Sequence, residues 1–124
     1  PCVMVIDDVP EVRMVIGDMC REMGFVTVLE ASDGADALEK LRDQRAHLIL
    51  CDQQMERMTG LDLLNQIRNH PYLADIPFIV LSVVSEAPVI ETALDLGAAD
   101  YLLKPVDFRA LRESVSEVIR RRFA

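Results

Sequence analysis

Two periodicities alternate along this chain. Short aliphatic and β-branched runs, CVMVI at 2–6, VTVLE at 26–30, LILC at 48–51, FIVL at 78–81 and YLL at 101–103, have the length and make-up of strands. Between them, apolar residues recur at helical spacing. Val12, Val15, Ile16, Met19 and Met23 form one stripe, and Gly24 follows it as a stop. Ala37, Leu38 and Leu41 mark a second helix, and Leu61, Leu64 and Ile67, closed by Pro71, mark a third. Ile90, Ala93 and Leu94 lie between Pro88 and Gly97, and Phe108, Leu111, Val115, Val118 and Ile119 form the last stripe. Five strand–helix pairs with short connections predict a parallel sheet covered by helices on both faces, because parallel neighbours need crossover segments. No linker, repeat or shift in composition interrupts the pattern, so residues 1–124 read as one α/β domain.

Composition narrows the classes. The chain is 51% hydrophobic and 27% charged, an ordinary globular profile, and at 124 residues it can bury one real core. No apolar run approaches the ~20 residues of a membrane span. The apolar start PCVMVI is short and runs into two acids, unlike a signal peptide. Pro1 at the start leaves open a stand-alone protein or a piece of a longer one. A net charge of -8 argues against direct nucleic-acid binding, since polyanion affinity comes largely from neutralising phosphates. The run RRR at 120–122 suits the end of a final helix, where it complements the dipole. Cys2, Cys20 and Cys51 are widely spaced in apolar surroundings and predict reduced, buried thiols and a cytoplasmic location. His47 and His70 lack companions at metal spacing and read as structural.

The chemistry gathers at the strand ends. The first run ends in Asp7-Asp8, the third in Asp52, the fourth in Ser82 and the fifth in Lys104-Pro105. Open parallel sheets bind ligands outside the carboxyl ends of their strands. Taken singly, each residue has a plainer explanation. Asp and Ser after a strand often cap helices or make turns, and a loop lysine is usually solvated. Lysine is scarce here, however, with only Lys40 and Lys104 among 13 basic residues. Four of the five strands ending in such groups is hard to attribute to capping. Three nearby carboxylates repel unless a cation joins them, and Mg²⁺ suits one or two carboxylates plus waters and a phosphate. With such a cation present, one carboxylate can act as a nucleophile toward a phosphoryl group, and a positioned lysine and hydroxyl would help to receive the spread charge.

Together VIDD (5–8), EASDGADAL (30–38), LILCDQQM with Gly60 eight residues after Asp52, VLS (80–82) and YLLKP (101–105) resemble the two-component response regulator receiver domain, the chemotaxis type. The resemblance spans essentially the whole sequence. It implies a flavodoxin-like (βα)5 three-layer fold with strand order 2-1-3-4-5, the order chemotaxis receivers share with flavodoxin, and it brings Asp7, Asp8 and Asp52 to the switch point. It further implies that Asp52 accepts the phosphoryl group. Asp8, Asp52 and the Gln54 carbonyl would hold Mg²⁺, and Asp7 would act through metal-bound water. Lys104 would neutralise the phosphoryl group, which backbone groups of Gln53, Gln54 and Val83 would also contact. Ser82 would swing toward it, and Tyr101 would turn inward, repacking the surface of the fourth helix, fifth strand and fifth helix. The Lys104–Pro105 bond would be cis.

The partners so implied are a histidine kinase or histidine phosphotransfer protein as donor and an output partner or effector domain, with a homodimer through that same surface as a further possibility. No membrane contact is expected. The domain would catalyse its own phosphorylation and dephosphorylation without turning over a separate substrate. Two residues depart from the pattern: Glu56 replaces a common proline, and Val83 stands where alanine or glycine is usual. The extra methyl groups of Val83 predict slow phosphotransfer unless a cognate kinase reshapes the loop. A haloacid-dehalogenase-like phosphatase is disfavoured, since Gln54 and Pro10 stand where a second acid would follow Asp52 or Asp8. A dinucleotide enzyme would need a glycine-rich loop after the first strand. A binding module that works without phosphorylation remains the alternative on this fold.

Overall fold

The computed structural model describes residues 1–122 and alternates strand and helix throughout. The elements are β1 (Cys2–Ile6), α1 (Pro10–Glu22), β2 (Thr27–Ala31), α2 (Gly34–Asp43), β3 (Leu48–Asp52), α3 (Gly60–Arg68), β4 (Phe78–Ser82), α4 (Ala87–Asp95), β5 (Asp100–Leu103) and α5 (Phe108–Arg122). All strand pairs are parallel, in the order β2-β1-β3-β4-β5. The flavodoxin-like, three-layer expectation holds.

Strand alternation divides the interior into two cores. Met4, Ile6, Ile49, Cys51, Phe78 and Val80 face one side, where Ala37, Leu41, Leu63, Leu64, Ile67 and Ala93 of α2, α3 and α4 cover them. Val3, Val5, Leu48, Leu50, Ile79 and Leu81 face the other, against Ile16, Cys20, Leu111, Val115 and Val118 of α1 and α5. Period-two alternation with both faces covered is why these strands read as continuous apolar runs. Every residue of β1, β3 and β4 is buried, while β2 and β5, at the sheet edges, are mostly half-buried.

Helix ends follow local chemistry. Asp33 caps α2 by accepting from the Asp36 amide at 2.8 Å. Thr59 and Asp62 form a reciprocal capping box on α3. Gly24 and Gly97 take positive φ after α1 and α4, as helix stops of this kind require. Arg120, Arg121 and Arg122 close the last turn of α5. The three cysteines are free and buried, and burial pushes the Cys20 thiol up to about 12. Both histidines hold backbone: His47 Nδ1 accepts from the Cys2 amide at 3.0 Å, and His70 Nδ1 accepts from the Tyr72 amide at 3.1 Å.

Candidate functional site

β1 and β3 are neighbours in the sheet, with Ile6 paired to Cys51. Asp7, one step past β1, therefore lies beside Asp52, the last residue of β3. One carboxylate oxygen from each of Asp7, Asp8 and Asp52 falls within 4.8 Å of the others. Asp7 is 1% exposed and Asp52 8%, whereas Asp8 is open to solvent. Lys104 enters from the far end of the chain, 97 residues from Asp7. Its Nζ lies 2.7 Å from Asp7 Oδ2 and 3.4 Å from Asp52 Oδ1. The Lys104 amide donates to the Ser82 carbonyl at 2.8 Å, which carries the lysine over β4, and the Lys104–Pro105 bond is cis.

The plainer capping role is met only in part. Asp7 Oδ1 accepts from the Val9 amide at 2.9 Å, and Ser82 Oγ accepts from the Val84 amide at 3.0 Å. Both are local turn bonds. Yet the N-caps of α1 and α4 are Val9 and Glu86, and neither makes a side-chain cap bond. Asp7 thus uses one oxygen for its own turn and the other for Lys104.

Charge decides what this cluster wants. Three carboxylates lie together, and the one ammonium group among them pairs with only two, Asp7 and Asp52, both out of water. Burial raises the Asp52 carboxyl above its usual range, and the charge of Asp7 adds to this. Lys104 and the Gln54 amide oppose the rise without cancelling it. A divalent cation would restore the balance, and oxygen donors at this separation fit a hard ion. Asp7, Asp8 and Asp52 are the groups that lie close enough together to hold one.

Ser82 is fully buried, while Tyr101 is half-buried and packs against the core. Both bond to the backbone of Val84: Ser82 accepts from its N–H, and the Tyr101 hydroxyl donates to its carbonyl at 2.7 Å. The β4–α4 loop therefore joins the two residues. Gln53 buttresses the β3–α3 loop, its carbonyl accepting from Gly60 and its Oε1 from the Leu61 amide at 2.8 Å. Val83 is 62% exposed and, with Val12, Val15, Met19, Pro105 and Val106, lines an apolar groove that ends at Lys104.

Two residues that sequence reasoning passed over belong here. Arg13 on α1 donates from Nη1 to the Asp7 carbonyl at 2.7 Å and from Nε to Glu30 Oε1 on β2 at 3.0 Å. The visible signals were slight: an arginine beside an apolar helical stripe, and an acid inside a strand.

Comparison with known proteins agrees with this geometry. Residues 3–116 match the response regulator receiver domain. The chain is 29% identical to the chemotaxis protein CheY of Pseudomonas aeruginosa, over 96% of each. It is 33% identical to the transcriptional regulatory protein ZraR of Klebsiella oxytoca over 94% of this chain, but spans only 26% of that longer protein. The crystal structure of a response regulator receiver protein from Pseudomonas putida superposes with a TM-score of 0.87 at 31% identity, covering 94% of this chain and 96% of that one. A match over most of the chain, a shared strand order and an acid cluster at the switch point lead to one assignment: this chain belongs to the response regulator receiver family of two-component systems.

Proposed function

We propose that this receiver is a phosphorylation-controlled switch in a two-component phosphorelay, with Asp52 as the phosphoryl acceptor. The observation that carries this reading is the position of Asp52. It is a buried carboxylate at a strand end, sharing one lysine with a second buried acid and lying within ligand distance of a third.

In the proposed reaction a carboxylate oxygen of Asp52 attacks the phosphorus of a phospho-histidine. The phosphorus–nitrogen bond breaks, the imidazole leaves with the bonding pair, and an acyl phosphate forms. Mg²⁺, held by Asp8, Asp52 and the Gln54 carbonyl with Asp7 acting through water, would supply charge neutralisation for the transferring group. Lys104 already sits between Asp7 and Asp52 and is placed to meet the incoming charge. Ser82 accepts a bond from Val84, which leaves its own proton to donate to a phosphoryl oxygen. Backbone groups of Gln53, Gln54 and Val83 complete the contacts. Moving Ser82 disturbs the loop that Tyr101 grips through the Val84 carbonyl, and this carries the change to the face of α4, β5 and α5.

Loss of the phosphoryl group is attack of water on the acyl phosphate, which releases inorganic phosphate and returns the Asp52 carboxylate, so the domain turns over no separate substrate. The donor is a histidine kinase or phosphotransfer protein, and the apolar groove running from α1 to Lys104 offers it a surface beside the acceptor. The output is a partner or effector domain that reads the α4–β5–α5 face, which also suits a second copy of the chain. The setting is cytoplasmic.

Incubation with a small-molecule phosphodonor and Mg²⁺, read by intact mass, tests the acceptor. One phosphoryl group on the parent and none on Asp52→Asn is expected, with Val83→Ala phosphorylated faster than the parent. An Asp52→Asn protein that still gains the group at the parent rate would overturn the assignment.

A further inference from the structure

Arg13 grips the acid loop from behind. Its side chain is 17% exposed and bridges the Asp7 carbonyl at 2.7 Å and Glu30 Oε1 at 3.0 Å. Glu30 is in turn anchored: it pairs in register with Val5 of β1, and its carbonyl accepts from Lys40 of α2. The Asp7 amide donates to the Ala31 carbonyl at 3.2 Å. Asp7 is therefore held at both backbone ends, by β2 on the N–H side and by Arg13 on the C=O side.

That second grip bears on Asp8. The Asp7 carbonyl and the Asp8 amide belong to one planar peptide unit, so fixing the carbonyl direction fixes where the Asp8 chain begins. Asp8 is the solvent-exposed member of the acid cluster, with the least packing of its own to hold it. A guanidinium presents several donors in a rigid fork and can hold a carbonyl and a carboxylate together, which an ammonium point charge does less well.

We propose that Arg13 is a positioning residue for the divalent cation, acting through the Asp7–Asp8 peptide, with Glu30 as its counter-anchor. This rests on reading the acid cluster as the Mg²⁺ site. Charge and positioning predict opposite signs here. Removing a cation near a metal site should tighten metal binding by simple electrostatics, whereas removing a brace should loosen it.

The test is Mg²⁺ titration followed by amide NMR shifts on the parent, Arg13→Met, Arg13→Lys and Glu30→Gln, with urea unfolding of each metal-free protein. Arg13→Met is expected to weaken Mg²⁺ binding by roughly 10-fold or more, the usual cost of losing a residue that orients a metal ligand. Arg13→Lys should recover only part of the loss, and Glu30→Gln should fall between parent and Arg13→Met. A folded Arg13→Met protein that binds Mg²⁺ as tightly as the parent, or more tightly, overturns the proposal, whatever its stability. Full recovery in Arg13→Lys overturns it too, by showing that one ammonium donor suffices and the two-partner guanidinium brace to Glu30 is not needed. Should Arg13→Met not fold, Glu30→Gln decides, and unchanged affinity there overturns it. A parent that binds no Mg²⁺ overturns the metal-site reading and this proposal with it, a result distinct from a variant-specific null.

Discussion

At the scale of single residues, Asp52 is held in tension. Its carboxylate ends a strand whose other members are apolar, and Lys104 is nearer to Asp7 than to it. The Asp52 carboxyl is raised above the ordinary 3.8, so the native protein holds this proton more tightly than the unfolded chain does. Stability from this group is therefore complete below 3.8 and lost as pH rises through the raised native value. Asp36, lowered chiefly by the Ser32 amide, and Asp75, lowered chiefly by the Arg45 side chain, act in the opposite sense and lose their contribution in acid. Without divalent cation, Asp52→Asn is expected to be more stable than the parent at neutral pH, with the gap narrowing as pH falls toward 3.8. Urea midpoints across that range check it, and equal midpoints at neutral pH would mean that Lys104 fully offsets the burial. The acids and the lysine were legible because their residue types are costly at strand ends. Arg13 and Glu30 were not, since their meeting depends on α1 lying beside β2, which neither sequence neighbourhood records.

At the scale of elements, the strand ends are tighter than periodicity suggests. The expected runs stopped before Asp52 and Ser82, yet both are paired rungs of the sheet: Asp52 is in register with Leu81, and Ser82 with Leu103. A strand's extent is set by the reach of its neighbour's backbone as much as by its own side chains. The same cause moves β2 to start at Thr27, leaving Val26 outside and 85% exposed, and makes β5 begin at Asp100. Gly60 shows a spacing that was legible while its reason was hidden. A Cβ there would lie 2.4 Å from the Asp52 carbonyl oxygen, because the first turn of α3 packs directly on the end of β3. Gly60→Ala is expected to cost about 2 kcal/mol, within the range for overpacking, and to shift the Asp52 and Gln53 amide resonances. Unfolding and an amide spectrum test this. A loss well under about 1 kcal/mol with unmoved resonances would mean that α3 yields without disturbing the acceptor.

Across the whole molecule, strand order turns distant residues into neighbours. Placing β1 between β2 and β3 sets Asp7 and Asp8 beside Asp52 and beside the β2 end that Arg13 uses, and β5 returns Lys104 across β4. Five strand–helix units were readable from period alone. Their order was not, and it came from the resemblance carried by motifs at the strand ends. The central claim is a coupled switch, in which events at Asp52 reach Tyr101 through Ser82 and the Val84 backbone. Its most direct test is an amide NMR titration with beryllofluoride, a phosphoryl mimic, with and without Mg²⁺. The account predicts Mg²⁺-dependent shifts at Asp52, Ser82, Val83 and Lys104 that extend to Tyr101. A folded protein showing no Mg²⁺-dependent binding, or binding confined to the acid cluster, would contradict it and favour a module that works without phosphorylation.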